Sequence, residues 1–175
     1  MKILYTQLET LASMLKEKGV EYPREVIERG WEILLLNQFH DIIPGSCIEE
    51  VYVQTDKEYE EILAGGKETL QQIAEKGAKS ICTDENAIIV YNTQGYVRND
   101  IIEVEGLEKS AVAKITDAEG NTLPMQRTSE GKIDFMRKTF QSMDIKYSIM
   151  QKETRRHRIR HGMAILKTDF TCDIQ

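Results

Sequence analysis

The chain has 175 residues, 41% of them apolar and 30% charged, which suits one or two domains with a packed core. No apolar run approaches the roughly 18 residues that a membrane helix needs. The net charge of −6 argues against nucleic acid as the main partner and suits a neutral substrate without selecting one.

The opening Met1-Lys2-Ile3-Leu4-Tyr5 soon turns polar at Thr6-Gln7-Leu8-Glu9. No signal peptide is therefore expected, and the expected location is cytoplasmic. Cys47, Cys82 and Cys172 are odd in number and lack CxxC spacing, so they are expected to be reduced thiols rather than a metal site.

Leu4, Leu8, Leu11 and Leu15 form a stripe that one helical face would bury, and Gly19 supplies a stop. A second helix is expected to open at Pro23 in its first turn. It runs through Val26, Ile27, Gly30, Trp31, Leu34 and Leu35, and its last residues, apolar on nearly every side, predict burial among neighbours. Ser46 and Glu49 have the spacing of a capping box that would start a third helix. That helix continues through Val51, Tyr52, Tyr59, Ile62, Leu63, Leu70 and Ile73, with Gly65-Gly66 as a point of bending or weakness.

After Gly77 the pattern changes to short β-prone runs between turns. These are Ala87–Tyr91, Ile101–Val104, Ala111–Thr116, Leu123–Arg127 and Lys132–Met136. The predicted fold class is α+β in series, a three-helix bundle followed by an antiparallel β-sandwich-like region. The expected divisions are a helical domain over 1–80, the start of a β domain over 86–150 and a basic tail over 151–175. That tail carries six Lys and Arg against three acids, which leaves −9 on the first 150 residues. His157 and His161 lie four apart within it, but the surrounding arginines favour a solvated basic stretch over a metal site.

The informative stretch is Leu34-Leu35-Leu36-Asn37-Gln38-Phe39-His40-Asp41-Ile42-Ile43-Pro44-Gly45-Ser46. It sets His40 beside Asp41 at the end of a helix, before a Pro-Gly turn. Imidazole nitrogen and carboxylate oxygen are both ligands for Zn²⁺ or a similar ion. One such pair cannot fill a four-coordinate site. A core histidine beside a turn aspartate is the structural alternative.

This wording, with Trp31 before it, resembles a signature of glycoside hydrolase family 38, the α-mannosidases, in the bacterial and cytosolic branch. Tyr22-Pro23, Val51-Tyr52, Tyr59, Ile62, Ile89-Val90-Tyr91-Asn92, Asp117–Gly120, Leu123-Pro124 and Gln126 extend the likeness, which covers about residues 4 to 128 and loosens at Ser142–Tyr147. The resemblance implies that His40 is one ligand of a catalytic zinc, with cobalt as an alternative ion, and that Asp41 contacts mannose hydroxyls. Phe39 stands where many members carry a second histidine. The other metal ligands and the aspartate nucleophile are implied to lie in an upstream catalytic domain of the same polypeptide, so the chain is expected to be an internal segment, inactive alone. The implied reaction is retaining hydrolysis of terminal α-mannosides of oligosaccharides. Asn37 and Gln38 are candidates to orient the pair, with core hydrogen bonding as their alternative role. The rival reading is a non-enzymatic helical and β interaction module in which His40 and Asp41 are structural.

Overall fold

A computed structural model describes residues 1–81, 86–104 and 112–152. Cys82, Cys172, His157, His161 and all of the basic tail beyond Lys152 lie outside the described residues. The chain divides into two compact units between Ser80 and Ile81.

The first unit holds three helices, α1 (Lys2–Lys16), α2 (Arg24–Leu36) and α3 (Glu49–Ile81). In α1 the leucine stripe buries Leu8, Leu11 and Leu15 together with Tyr5 and Ala12, while Leu4 is half-buried. The helix ends at Lys16, and Gly19 takes a φ of +80°, a left-handed conformation open to glycine at little cost. Pro23 caps α2 from just outside its first turn, so the helix starts one residue later than the sequence suggests.

The end of α2 departs from expectation. Ile33 and Leu34 are buried, but Leu35 and Leu36 are exposed. Ile27, Gly30, Ile33 and Leu34 already define the face that α2 turns inward, which leaves the opposite side uncovered however apolar it is. The expected capping box is also absent. The Ser46 hydroxyl donates to the Asp41 carbonyl at 3.1 Å, and α3 begins only at Glu49.

α3 runs unbroken for 33 residues through Gly65 and Gly66. Its buried positions, Thr55, Ile62, Gly66, Leu70, Ile73, Ala74 and Gly77, recur at helical spacing. Gly66 is buried because Leu4 and Tyr5 come to within 3.1 and 3.2 Å of where its Cβ would be. Its small size thus admits a neighbour rather than bending the helix. The Tyr5 hydroxyl donates to the Ile62 carbonyl at 2.9 Å, tying α1 to α3.

The second unit is all β, with β1 (Ala87–Asn92), β2 (Arg98–Val104), β3 (Val112–Asp117), β4 (Thr122–Leu123), β5 (Met125–Arg127), β6 (Ile133–Phe140) and β7 (Asp144–Lys152). Every pairing is antiparallel. One sheet has the order β1-β7-β3-β4 and the other β2-β6-β5. A single core joins them, formed by Ile88, Val90, Val112, Ile115 and Met150 from the first sheet and Ile102, Val104, Ile133 and Phe135 from the second. The period-two alternation seen in Ile102/Val104 and Ile133/Phe135 directs these side chains into the space between sheets. Between β3 and β4, Asp117 accepts hydrogen bonds from the backbone N–H groups of Glu119 and Asn121, and Gly120 completes the turn at a φ of +87°. Three helices followed by antiparallel strands in two sheets is the architecture expected of the sequence.

Candidate functional site

The segment between α2 and α3 is fixed at its root by Asn37, which is buried at 4% exposure. Its side-chain amide donates to the Ile33 carbonyl at 3.0 Å and to Glu58 Oε2 at 2.9 Å. Its carbonyl oxygen accepts from the Thr55 hydroxyl at 2.7 Å. Gln54 in turn donates to the second Glu58 oxygen at 3.0 Å. Hydrogen bonds from Gln54 and Asn37 hold the Glu58 carboxyl below its ordinary range. A buried amide with its hydrogen bonds satisfied rigidifies the link it sits in. Asn37 therefore anchors the start of the segment to α3 and does not reach the surface.

Beyond Asn37 the chain folds into successive turns. The N–H groups of Ile42 and Ile43 donate back to the Phe39 carbonyl, and that of Gly45 donates to Ile42. Gly45 adopts a φ of +81°, for which glycine is the natural occupant. From α3, the Tyr52 hydroxyl donates to the Ile42 carbonyl and accepts from the Cys47 N–H, each at 3.2 Å. The Asp41 carbonyl accepts from both Ser46 Oγ and Cys47 Sγ. The backbone of Asp41 and Ile42 is thereby held by its own turn and by α3 together.

On this frame the two predicted residues come together at the surface. His40 Nε2 stands 3.5 Å from Asp41 Oδ2, and their side chains are 75% and 62% exposed. The Phe39 ring lies 4.2 Å from the imidazole, centroid to centroid, which limits the ring's freedom from one side. His40 is thus not a core histidine. Gln38 is exposed. The partners that sequence reading missed are Thr55, Glu58 and Tyr52. Thr55 and Glu58 are three apart and share a helix face, a polar pair set among the apolar positions of α3.

The exposed His-Asp pair thus sits on a turn braced between two helices of a three-helix unit. The alpha-mannosidase middle-domain family matches residues 1–76, which take in α1, α2 and most of α3. Over these residues the chain is similar to an alpha-mannosidase middle domain. The human Alpha-mannosidase 2C1 is 33% identical over 107 residues, covering 58% of this chain and 10% of that protein. An Alpha-mannosidase of Saccharomyces cerevisiae is 52% identical over 40 residues, 23% of this chain and 4% of the relative. A crystal structure of a glycosyl hydrolase family 38 protein from Enterococcus faecalis superposes with a TM-score of 0.60 at 18% identity, covering 89% of this chain and 24% of that one. The chain spans about a tenth or less of the length of the curated relatives it matches.

The donor chemistry of the pair fits a divalent transition metal: an accessible imidazole nitrogen with a carboxylate oxygen at its side. Among the described residues, no group of three or more His, Cys, Asp and Glu is arranged to hold one. Also among the described residues, no helix is long and apolar enough to cross a membrane.

Proposed function

We propose that this chain serves a metal-dependent retaining α-mannosidase that hydrolyses terminal α-mannosides of oligosaccharides. The observation that carries the reading is the exposed His40–Asp41 pair, held on a braced turn of a unit similar to an alpha-mannosidase middle domain. In this reading His40 gives an imidazole nitrogen to zinc, with cobalt as the alternative ion, and Asp41 accepts hydrogen bonds from mannose hydroxyls. A bound zinc would orient the sugar and withdraw electron density from its hydroxyls. The anchors at the Asp41 and Ile42 carbonyls hold the backbone that carries the pair, a pre-organisation that oriented chemistry rewards. Exposure of both side chains leaves them able to meet groups from another domain.

The remaining ligands and the two carboxyl groups of retaining hydrolysis are assigned to a catalytic domain of the same polypeptide. Leu36, Phe39, Ile43 and Ile48, in the segment that carries the pair or at its ends, are each more than half exposed, apolar surface suited to being covered by that domain. A cytoplasmic location is part of the same reading. The test is metal analysis and turnover of an aryl α-mannoside by the polypeptide that joins this chain to a catalytic domain. Metal bound in equal amount with and without the His40 imidazole would defeat the ligand role.

A further inference from the structure

A second feature of the helical unit lies along α1 and α2. It is a groove of about 600 Å³, lined among others by Glu9, Tyr22, Arg24, Glu28, Trp31 and Glu32. That volume lies within the range of small-ligand sites. The half-buried Trp31 lines it, with the Tyr5 ring packed edge-on at 6.2 Å between centroids. The Trp31 indole N–H donates to Glu9 Oε2 at 3.2 Å, and the Tyr22 hydroxyl lies 3.5 Å from Glu9 Oε1. One carboxylate thus orients two aromatic side chains toward a common space. Burial, then the Glu9 charge, raises the Tyr22 phenol above its usual range, so its hydroxyl keeps its proton for hydrogen bonding.

The rim carries both signs of charge. Arg24 pairs with Glu28 at 3.0 Å on the exposed side of α2. Glu32 is exposed and makes no ion pair among the described residues. An oriented indole flanked by carboxylates, a guanidinium and a phenol matches one class of ligand particularly well. The C–H face of a pyranose buries against an aromatic ring, while its hydroxyls donate to carboxylates or the phenol oxygen and accept from guanidinium. The lining sets Glu9, Glu28 and Glu32 against Lys16 and Arg24. Glu9 and Glu28 are already engaged by Trp31, Tyr22 and Arg24, which leaves little net charge to favour a cation over a neutral ligand.

We propose that the α1–α2 groove is a carbohydrate subsite, separate from the His40–Asp41 pair, which takes one neutral pyranose unit against Trp31. The groove itself carries the choice of a pyranose; the choice of a mannose probe rests on the function proposed above. Trp31 precedes His40 by nine residues and is the chain's single tryptophan, so its indole reports on the groove alone.

The experiment titrates the 175-residue chain with an α-linked mannotriose, following Trp31 fluorescence and the indole ¹H–¹⁵N resonance. A saturable change is expected, with a dissociation constant of roughly 1 mM, typical of a few satisfied contacts. Glu32→Ala should weaken it by roughly tenfold, the effect of removing one charged hydrogen-bond partner, without lowering the thermal midpoint. His40→Ala should leave it unchanged. Equal binding of a glucose trisaccharide would support the pyranose subsite while counting against mannose as the cognate sugar. An indole that does not respond, a response to choline in place of sugars, or a response insensitive to Glu32→Ala would overturn the proposal. So would its loss in His40→Ala, which would move the sugar to the other pair. Failure of mannoside turnover in the longer polypeptide would leave the titration standing.

Discussion

The ring of Tyr5 occupies the space that any side chain at Gly30 would need. A Cβ built on Gly30 falls 1.8 Å from Tyr5 Cε1, far inside van der Waals contact. On its other side the same ring lies 3.2 Å from the Cβ position of Gly66. α1 therefore inserts one aromatic between a glycine of α2 and a glycine of α3, and the Tyr5 hydroxyl reaches the Ile62 carbonyl beyond. Burial, followed by the nearby Glu61 charge, raises the Tyr5 phenol, so it remains a donor throughout the neutral range.

Gly30→Ala is expected to destabilise the helical unit by roughly 2 kcal/mol or more, because overpacking outweighs the gain of about 1 kcal/mol in helix propensity. Gly65→Ala is its control. Nothing lies within 4 Å of that Cβ position, so the propensity gain should appear alone, roughly 0.5–1 kcal/mol of added stability. Urea denaturation of both variants checks the pair. Equal effects of the same sign would show that the Tyr5 contact does not govern α2.

The anchor at Asn37 gives a second expectation. Asn37→Ala strips the Thr55 hydroxyl of its acceptor and removes one donor to Glu58. It should cost roughly 1–3 kcal/mol, the range for leaving a buried polar group unsatisfied. Because Asn37 roots the turn segment, amide exchange at Ile42, Ile43 and Gly45 should quicken by more than in the distant β unit. Exchange that changes uniformly across the chain would instead indicate a purely global loss.

Protonation of Glu58 follows from the same network. Its carboxyl is held below the ordinary value of 4.5, first by Gln54 and then by Asn37. The stabilisation is therefore present above pH 4.5 and is lost as the pH falls through the lower, folded-state value. Solvent screening keeps the effect small. Glu58→Gln should accordingly lose stability at neutral pH and show a shallower decline on acidification than the parent chain. Parallel urea midpoints at all acid pH values in both proteins would refute the coupling.

Much of the fold was legible because its signals are local. The leucines of α1 state a helical period, and Ile88 to Tyr91 state a strand, without reference to anything distant. β7 was not recognised as a strand, although it is central to its sheet. Its partners are β1 and β3, with Ile149 opposite Ala87 and Met150 opposite Ile115, and a pairing across so many residues leaves little trace in a local window. The exposed end of α2 misled for the converse reason. Leu35 and Leu36 are as apolar as buried leucines, and composition does not say which side has a neighbour. Tyr5 shows the same limit, since the glycines that receive it are 25 and 61 residues away. At the candidate site, the His40–Asp41 pair stood out by wording, whereas Tyr52, Thr55 and Glu58 act through contacts that only the folded turn creates.

The most consequential expectation concerns how the site is divided. A catalytic zinc site uses about three protein ligands with a further position open to water or substrate, and this chain offers His40 with Asp41 beside it. Retaining hydrolysis further needs two carboxyl groups about 5 Å apart across the scissile bond. The 175-residue chain alone should therefore bind zinc weakly and release no product from an aryl α-mannoside. In the polypeptide that includes a catalytic domain, His40→Ala should lower metal content and turnover together, because both depend on the imidazole. Asp41→Asn keeps the size of the side chain and removes its charge. It should retain the metal and lose turnover by roughly 10²-fold, comparable to the removal of one transition-state hydrogen bond. The backbone anchors at the Asp41 carbonyl do not involve the carboxylate, so the turn should survive that substitution, and unchanged thermal midpoints would confirm this. Metal content and kinetics measured on the same preparations separate the two roles. Vigorous metal-dependent turnover by the chain alone would refute the division. Full activity of the His40→Ala polypeptide would refute the ligand assignment, and metal loss in Asp41→Asn would move Asp41 from the sugar to the metal.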